Sequence, residues 1–142
     1  MYKIREALKS DYQVIKQLDG SEKNMHLNVN DSILEENIYK KSLCNSNSRW
    51  FLVEKSLEVK AFLFFLVDRE KKVVEIKKFT INDSDKKKGL NEHLYRKVEQ
   101  FAILQGMKSM RAEISADHLD VIDFFERKGW NYKNNRYEKY LK

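Results

Sequence analysis

The sequence predicts an α/β domain built on a central mixed, mostly antiparallel sheet flanked by helices, in the order βα(α)βββαβαββ. Three observations carry that prediction. Segments 50–55, 59–67 and 73–81 are rich in aromatic and β-branched residues and are separated only by short charged turns, the pattern of consecutive antiparallel strands. Leu90, Leu94, Val98, Phe101 and Leu104 then recur at helical spacing, with Gly106 where a C-terminal cap belongs. The chain has 142 residues, 42% of them hydrophobic and 12% aromatic, enough for one core and too few for two. With no proline, 4 glycines, no repeat and no low-complexity tract, nothing marks a linker, so residues 1–142 are expected to form a single domain.

In chain order, residues 2–7 read as a short strand, and Ser10 with Gln13 three residues on reads as a capping box opening a helix to about residue 18. Residues 19–30 look irregular. A second capping box, Ser32 with Glu35, opens a helix carrying Ile33, Asn37, Ile38 and Leu43, which 45–48 end. The strand 73–81 slips its alternation at Lys77 and Lys78, where a β-bulge restores the pattern. After the long helix, 109–115 reads as a strand, Asp117 as a helix cap, and 119–128 as a short helix closed by Gly129. Aromatics flanking Asn134 and Asn135 then predict a terminal hairpin, because asparagine tolerates the positive φ of a tight turn. The pairing of 73–81 with 109–115 is expected to be a parallel crossover.

Composition excludes several roles. The longest apolar run, 61–67, is far short of the roughly 20 residues of a membrane-spanning helix, and no apolar stretch follows the N-terminus, so neither membrane insertion nor classical secretion is expected. A lone cysteine, Cys44, rules out an intramolecular disulfide and a cysteine-based zinc site, which suits a cytoplasmic setting, and no metal is expected. Lys and Arg number 28 against 22 Asp and Glu, a formal +6 that favours phosphate-bearing ligands. The lysines are spread and mixed with acids, which argues against a nucleic-acid surface.

The chemistry concentrates at residues 79–91. A strand runs into a polar loop, a lysine run follows, and Gly89 opens an amphipathic helix, so unpaired N–H groups converge at the positive end of its dipole. That arrangement suits an anion, with glycine letting a phosphate approach the backbone; taken by itself the segment also fits a solvated turn. Here the chain resembles the GNAT superfamily of N-acetyltransferases. Lys86-Lys87-Lys88-Gly89-Leu90-Asn91 stands where that family writes R/Q-x-x-G-x-G/A, and Phe124-Phe125-Glu126-Arg127-Lys128-Gly129-Trp130 is similar to its F-Y-E-K-x-G-F helix ending. The resemblance spans the βα opening and everything from residue 50 onward; 19–48 carry no motif.

That resemblance implies an enzyme moving an acetyl group from acetyl-coenzyme A to a primary amine. The amides of Lys87, Lys88, Gly89, Leu90, Asn91 and Glu92 would cradle the pyrophosphate. The backbone of Phe79, Thr80 and Ile81 would hold the pantetheine arm, with the Phe79 amide polarising the thioester carbonyl. Three positions depart from the pattern: Lys86 lacks the fork of arginine, Asn91 puts a side chain where the family has Gly or Ala, and Phe125 replaces the tyrosine that donates a proton to the leaving thiolate. An amine with a pKa of about 10.4 needs a base at neutral pH. Glu75 matches the glutamate base of the histone acetyltransferase branch, although it also reads as a solvent-facing strand residue, and Glu113 is the second candidate. His118 stands where an asparagine contacts the coenzyme, and reads either as a substitute acid or as a surface histidine. The rival expectation is a degenerate module that binds coenzyme A or an acyl derivative as a sensor or assembly protein. A monomer or homodimer is expected. Trp50, Phe51, Phe62, Phe64 and Phe65 read as core, Cys44 as no nucleophile, and His26 as a loop residue.

Overall fold

A computed structural model describes residues 2–20, 34–81 and 89–141. The described strands are β1 (Tyr2–Glu6), β2 (Ser48–Lys55), β3 (Glu58–Asp68), β4 (Val73–Ile81), β5 (Ser109–Ala112), β6 (Asn131–Lys133) and β7 (Arg136–Tyr140). They form one mixed sheet in the order β1-β2-β3-β4-β5-β7-β6, in which only β4 and β5 pair in parallel. The described helices are α1 (Tyr12–Gly20), α2 (Glu36–Leu43), α3 (Leu90–Leu104) and α4 (Leu119–Arg127). Element order and sheet type therefore match the sequence pattern.

Alternation along β2 and β3 sends side chains to two separate cores. Trp50, Leu52, Phe62 and Phe64 meet Tyr12, Ile15 and Leu18 of α1 and Tyr39 of α2 on one face. Phe51, Val53, Leu63 and Phe65 meet α3 and α4 residues such as Leu94, Val98, Phe124 and Phe125 on the other. Burial on both faces explains why these strands read as continuous apolar runs, and each fully buried large side chain contributes roughly 1.5–3 kcal/mol. All five aromatics expected in the core are buried there.

The glycine caps form as expected. Met107 N–H donates to the Ala102 carbonyl at 2.9 Å and Gly106 N–H to Ile103 at 3.1 Å, with Gly106 at φ 76°. The same pair of bonds, Trp130 to Phe125 and Gly129 to Glu126, closes α4. Asn134 and Asn135 sit at φ 55° and 65° in the β6–β7 turn.

Three caps differ from expectation. Ser10 lies inside a 3-10 turn (Lys9–Asp11) and opens nothing; the Asp11 carboxylate accepts from Leu8 N–H at 2.7 Å instead. A carboxylate is the stronger acceptor, and the Arg5 guanidinium on β1 fixes it through bonds of 2.8 and 2.9 Å. Ser32 and Ile33 lie outside the described residues; α2 starts at Glu36, behind an N-cap Glu35 with no side-chain cap bond. Its inward face is also turned by one residue, with Tyr39 fully buried and Ile38 37% exposed, because the Tyr39 hydroxyl reaches the Leu8 carbonyl at 2.7 Å. Asp117 precedes the cap of α4, a position His118 occupies without a side-chain bond. The irregular segment and His26 lie outside the described residues, except that Asp19 and Gly20 complete α1.

Candidate functional site

The site begins with a failure of two strands to stay together. β4 and β5 pair from Val73 with Ser109 to Ile76 with Ala112, where β5 ends three residues before its expected limit. β4 continues to Ile81, paired with β3 alone. Among the described residues, its second edge from Lys77 to Ile81 faces no strand. The result is a notch with the β4 main chain as one wall.

The expected bulge sits at the base of this notch. Phe64 pairs with Lys78 but Phe65 pairs with Ile76, leaving Lys77 as the extra residue. The bulge turns both Ile76 and Phe79 toward α3 and α4, where Phe79 is 1% exposed with its ring centroid 5.8 Å from that of Phe124 and 6.1 Å from that of Phe125. Glu75, Lys78 and Thr80 stand opposite Leu66, Phe64 and Phe62 and so share the face that carries α1 and α2. Thr80 is fully buried. The Lys78 ammonium lies 3.3 Å from the Asp19 carboxylate, tying β4 to the end of α1.

Glu75 is not a bare carboxylate. Arg111 Nη2 on the neighbouring strand donates to one oxygen at 3.3 Å, and Lys77 Nζ approaches the other at 2.9 Å. The parallel register that sets Arg111 beside Glu75 also leaves Glu113 just past the end of β5. The structure thus brings Glu75 and Phe79 to the same stretch of β4 but onto opposite faces.

At the helix start, Gly89 adopts φ 75°, ψ 18°, a left-handed conformation that turns the chain into α3. Leu90, 1% exposed, anchors the first turn in the core. Residues 82–88, with Lys86, Lys87 and Lys88, lie outside the described residues. Asn91 does what its sequence position did not announce: its Oδ1 accepts from the Glu92 N–H at 3.0 Å, occupying an amide of the expected cradle. The Glu92 carboxylate pairs with Lys128 Nζ at the end of α4. Asn91, Glu92, Phe124, Arg127 and Lys128 line a cavity of about 370 Å³ between the two helices. Glu92 and Lys128 are 36 positions apart, so no local sequence signal reports their pairing.

His118 is half-buried, and its Nδ1 is buried with no hydrogen-bond partner among the described residues. Phe125 is fully enclosed by the rings of Phe79, Tyr95, Phe124 and Trp130. The hydroxyl of Tyr95 is committed, donating to Glu99 at 2.9 Å and accepting from Trp130 Nε1 at 2.8 Å, and burial pushes its phenol well above the usual range. Among the described residues no three His, Cys, Asp or Glu side chains converge as a metal-binding set, and no helix is long and apolar enough to cross a membrane.

The profile of the acetyltransferase (GNAT) family matches residues 2–130. No curated protein sequence matches the chain. Among solved structures, the PaiA N-acetyltransferase of Thermoplasma acidophilum in complex with coenzyme A superposes with a TM-score of 0.83 at 10% identity, covering 99% of both chains. A GNAT-family acetyltransferase of Staphylococcus aureus Mu50 gives 0.84 at 13% identity over 100% of both chains. A variant of the spermidine N-acetyltransferase of Vibrio cholerae gives 0.78 at 13% identity, covering 98% of this chain and 93% of the other. At these identities the likeness is one of fold.

Proposed function

The chain belongs to the acetyltransferase (GNAT) family, and from that premise we propose that it transfers an acetyl group from acetyl-coenzyme A directly to a primary amine of a small molecule or protein. The observation that carries this reading is the notch: five residues of β4, from Lys77 to Ile81, continue past the point where β5 stops pairing, above a bulge. The backbone of Phe79, Thr80 and Ile81 hydrogen-bonds the pantetheine arm like an added strand, and the Phe79 amide polarises the thioester carbonyl. The phosphates meet Lys86, Lys87, Lys88 and the amides through Glu92, at a helix start that favours anions. His118 offers its orphaned Nδ1 to the same arm, and Phe125 supports the wall through the Phe79 ring.

Acceptor and donor approach β4 from opposite faces. Glu75, on the α1 and α2 face, removes the amine proton directly or through a water, with Arg111 orienting it. The nitrogen lone pair attacks the carbonyl carbon, the C–S bond breaks with its electron pair on sulfur, and the second proton shed by the new amide nitrogen passes through water to the thiolate in the absence of a tyrosine at position 125. The formal +6 charge argues against strongly cationic acceptors, so a polyamine, suggested by the name of the spermidine acetyltransferase of like fold, is the demanding case in an acceptor screen. A cytoplasmic setting fits the single Cys44.

A second reading, a module that binds coenzyme A without turnover, is favoured by Asn91 occupying the Glu92 amide and by two cations on Glu75. Calorimetric titration with acetyl-coenzyme A, repeated on Gly89→Asp, tests the common premise. Micromolar binding lost in the variant supports it, and no binding at millimolar ligand refutes both readings. An amine screen following thiol release, with Glu75→Gln as control, then separates enzyme from sensor.

A further inference from the structure

We propose that Lys128 is a phosphate ligand of the coenzyme, held across the mouth of its site by Glu92 until the phosphate displaces that carboxylate. The inference rests on the coenzyme reading above. It stands on the cavity between the first turn of α3 and the end of α4, of about 370 Å³, roughly twelve water volumes. Two cations line it. Arg127 points outward, 71% exposed and paired with Asp123 on its own helix at 3.1 Å. Lys128 instead turns across the cavity to Glu92, with its ammonium 5.5 Å from the centre of the Phe124 ring. Its side chain is 26% exposed, so the stem is packed while the charge remains reachable.

The partner makes this a competition. Glu92 lies in the first turn of α3, beside the amides that the coenzyme phosphates would use, so its carboxylate repels the ligand and neutralises the nearest cation. An ion pair this open to water holds its members weakly, whereas a phosphate brings more charge and meets helix amides and the ammonium together. On binding, Lys128 exchanges a carboxylate for a phosphate and Glu92 is left to solvent.

The two residues therefore carry opposite signs for affinity, which a purely structural strut does not. Lys128→Gln is expected to weaken coenzyme A binding about ten-fold and flatten its salt dependence. Glu92→Gln is expected to tighten it several-fold, since a repulsive charge goes and Lys128 is set free. Titrations with coenzyme A and with its 3′-dephospho form identify which phosphate is bound: a Lys128→Gln loss confined to the former assigns the 3′-phosphate, and an equal loss for both assigns the pyrophosphate. Unchanged affinity in Lys128→Gln, or weakened affinity in Glu92→Gln, overturns the inference while binding that remains sensitive to Gly89→Asp leaves the coenzyme reading standing. Absence of binding by the unaltered protein overturns both.

Discussion

Gly89 separates two demands that the same residue meets, a backbone shape and a space for ligand. At φ 75° a side chain is strained, yet among the described residues a Cβ built there meets only His93 Cδ2 and Nε2, both at 3.9 Å, which is ordinary contact. Among the described residues Gly89→Ala therefore clashes with nothing, and its cost is that of the left-handed conformation, about 1–2 kcal/mol. For a domain of this size that lowers Tm by about 3–6 °C. Gly89→Asn adds more atoms but tolerates the left-handed region, so its stability cost is under about 1 kcal/mol. If Gly89 serves only the turn, coenzyme affinity follows stability and Asn restores it. If a phosphate lies against the Gly89 amide, both variants lose at least ten-fold in affinity whatever their Tm, and Gly89→Asp loses more because its charge repels the ligand. Thermal unfolding and acetyl-coenzyme A titration of the set decide the matter, and an Ala variant that binds as tightly as the unaltered protein refutes the cradle at this position.

Other consequences follow from single contacts. Asn91→Ala frees the Glu92 amide from its side-chain acceptor and is expected to tighten acetyl-coenzyme A binding by a few-fold in calorimetry; weaker binding overturns the competition between Asn91 and phosphate. Glu75→Gln is expected to lower kcat by about a hundred-fold or more near pH 7, with coenzyme Kd unchanged and the deficit shrinking as pH approaches the amine pKa. A rate that does not change removes Glu75 as the base. Asp11, held below the usual carboxylate range chiefly by the Arg5 guanidinium, stabilises the fold above the unfolded value of about 3.9 and ceases to do so as pH falls through its folded pKa. Asp11→Asn is accordingly expected to cost about 2 kcal/mol in urea unfolding at pH 7 and to erase that part of the acid-induced loss; an equal cost at pH 2 contradicts the ionic account.

The elements that were legible in the sequence are those whose cause is local. Two glycines and an Asn-Asn pair mark turns because their φ values exceed what other residues adopt readily, and all four residues have them. The bulge was legible because Lys77 and Lys78 break a period of two. Misreadings arose where a distant residue decided the outcome. Ser10 is a good cap in isolation, but Arg5 on β1 makes Asp11 the better one. α2 turned its face by one residue to let Tyr39 reach Leu8, 31 positions away. At the site, Gly89 at the start of α3 was legible from the local pattern, whereas the pairing of Glu92 with Lys128 and of Asn91 with its neighbour's amide depended on rotamers and helix packing that no spacing encodes.

The departures at Lys86, Asn91 and Phe125 weigh differently once the division of labour in the notch is considered. The groups assigned to the pantetheine arm and the carbonyl are main-chain groups of β4, beyond the point where β5 leaves at Ala112 and offset because Lys77 bulges. Any side chains that preserve the two-faced core preserve those groups. Superposition at a TM-score of 0.83 with 10% identity follows from the same cause, since packing constrains residue class more than residue identity. Phe125 illustrates the limit: fully enclosed by four rings, it keeps the Phe79 wall in place as well as a tyrosine would, while the proton a hydroxyl would have given must come from water. On the proposed reading, loss of that hydroxyl would slow the chemical step and leave the geometry of coenzyme binding intact, so affinity and turnover would be separable, the first set mainly at the start of α3 and the second at β4.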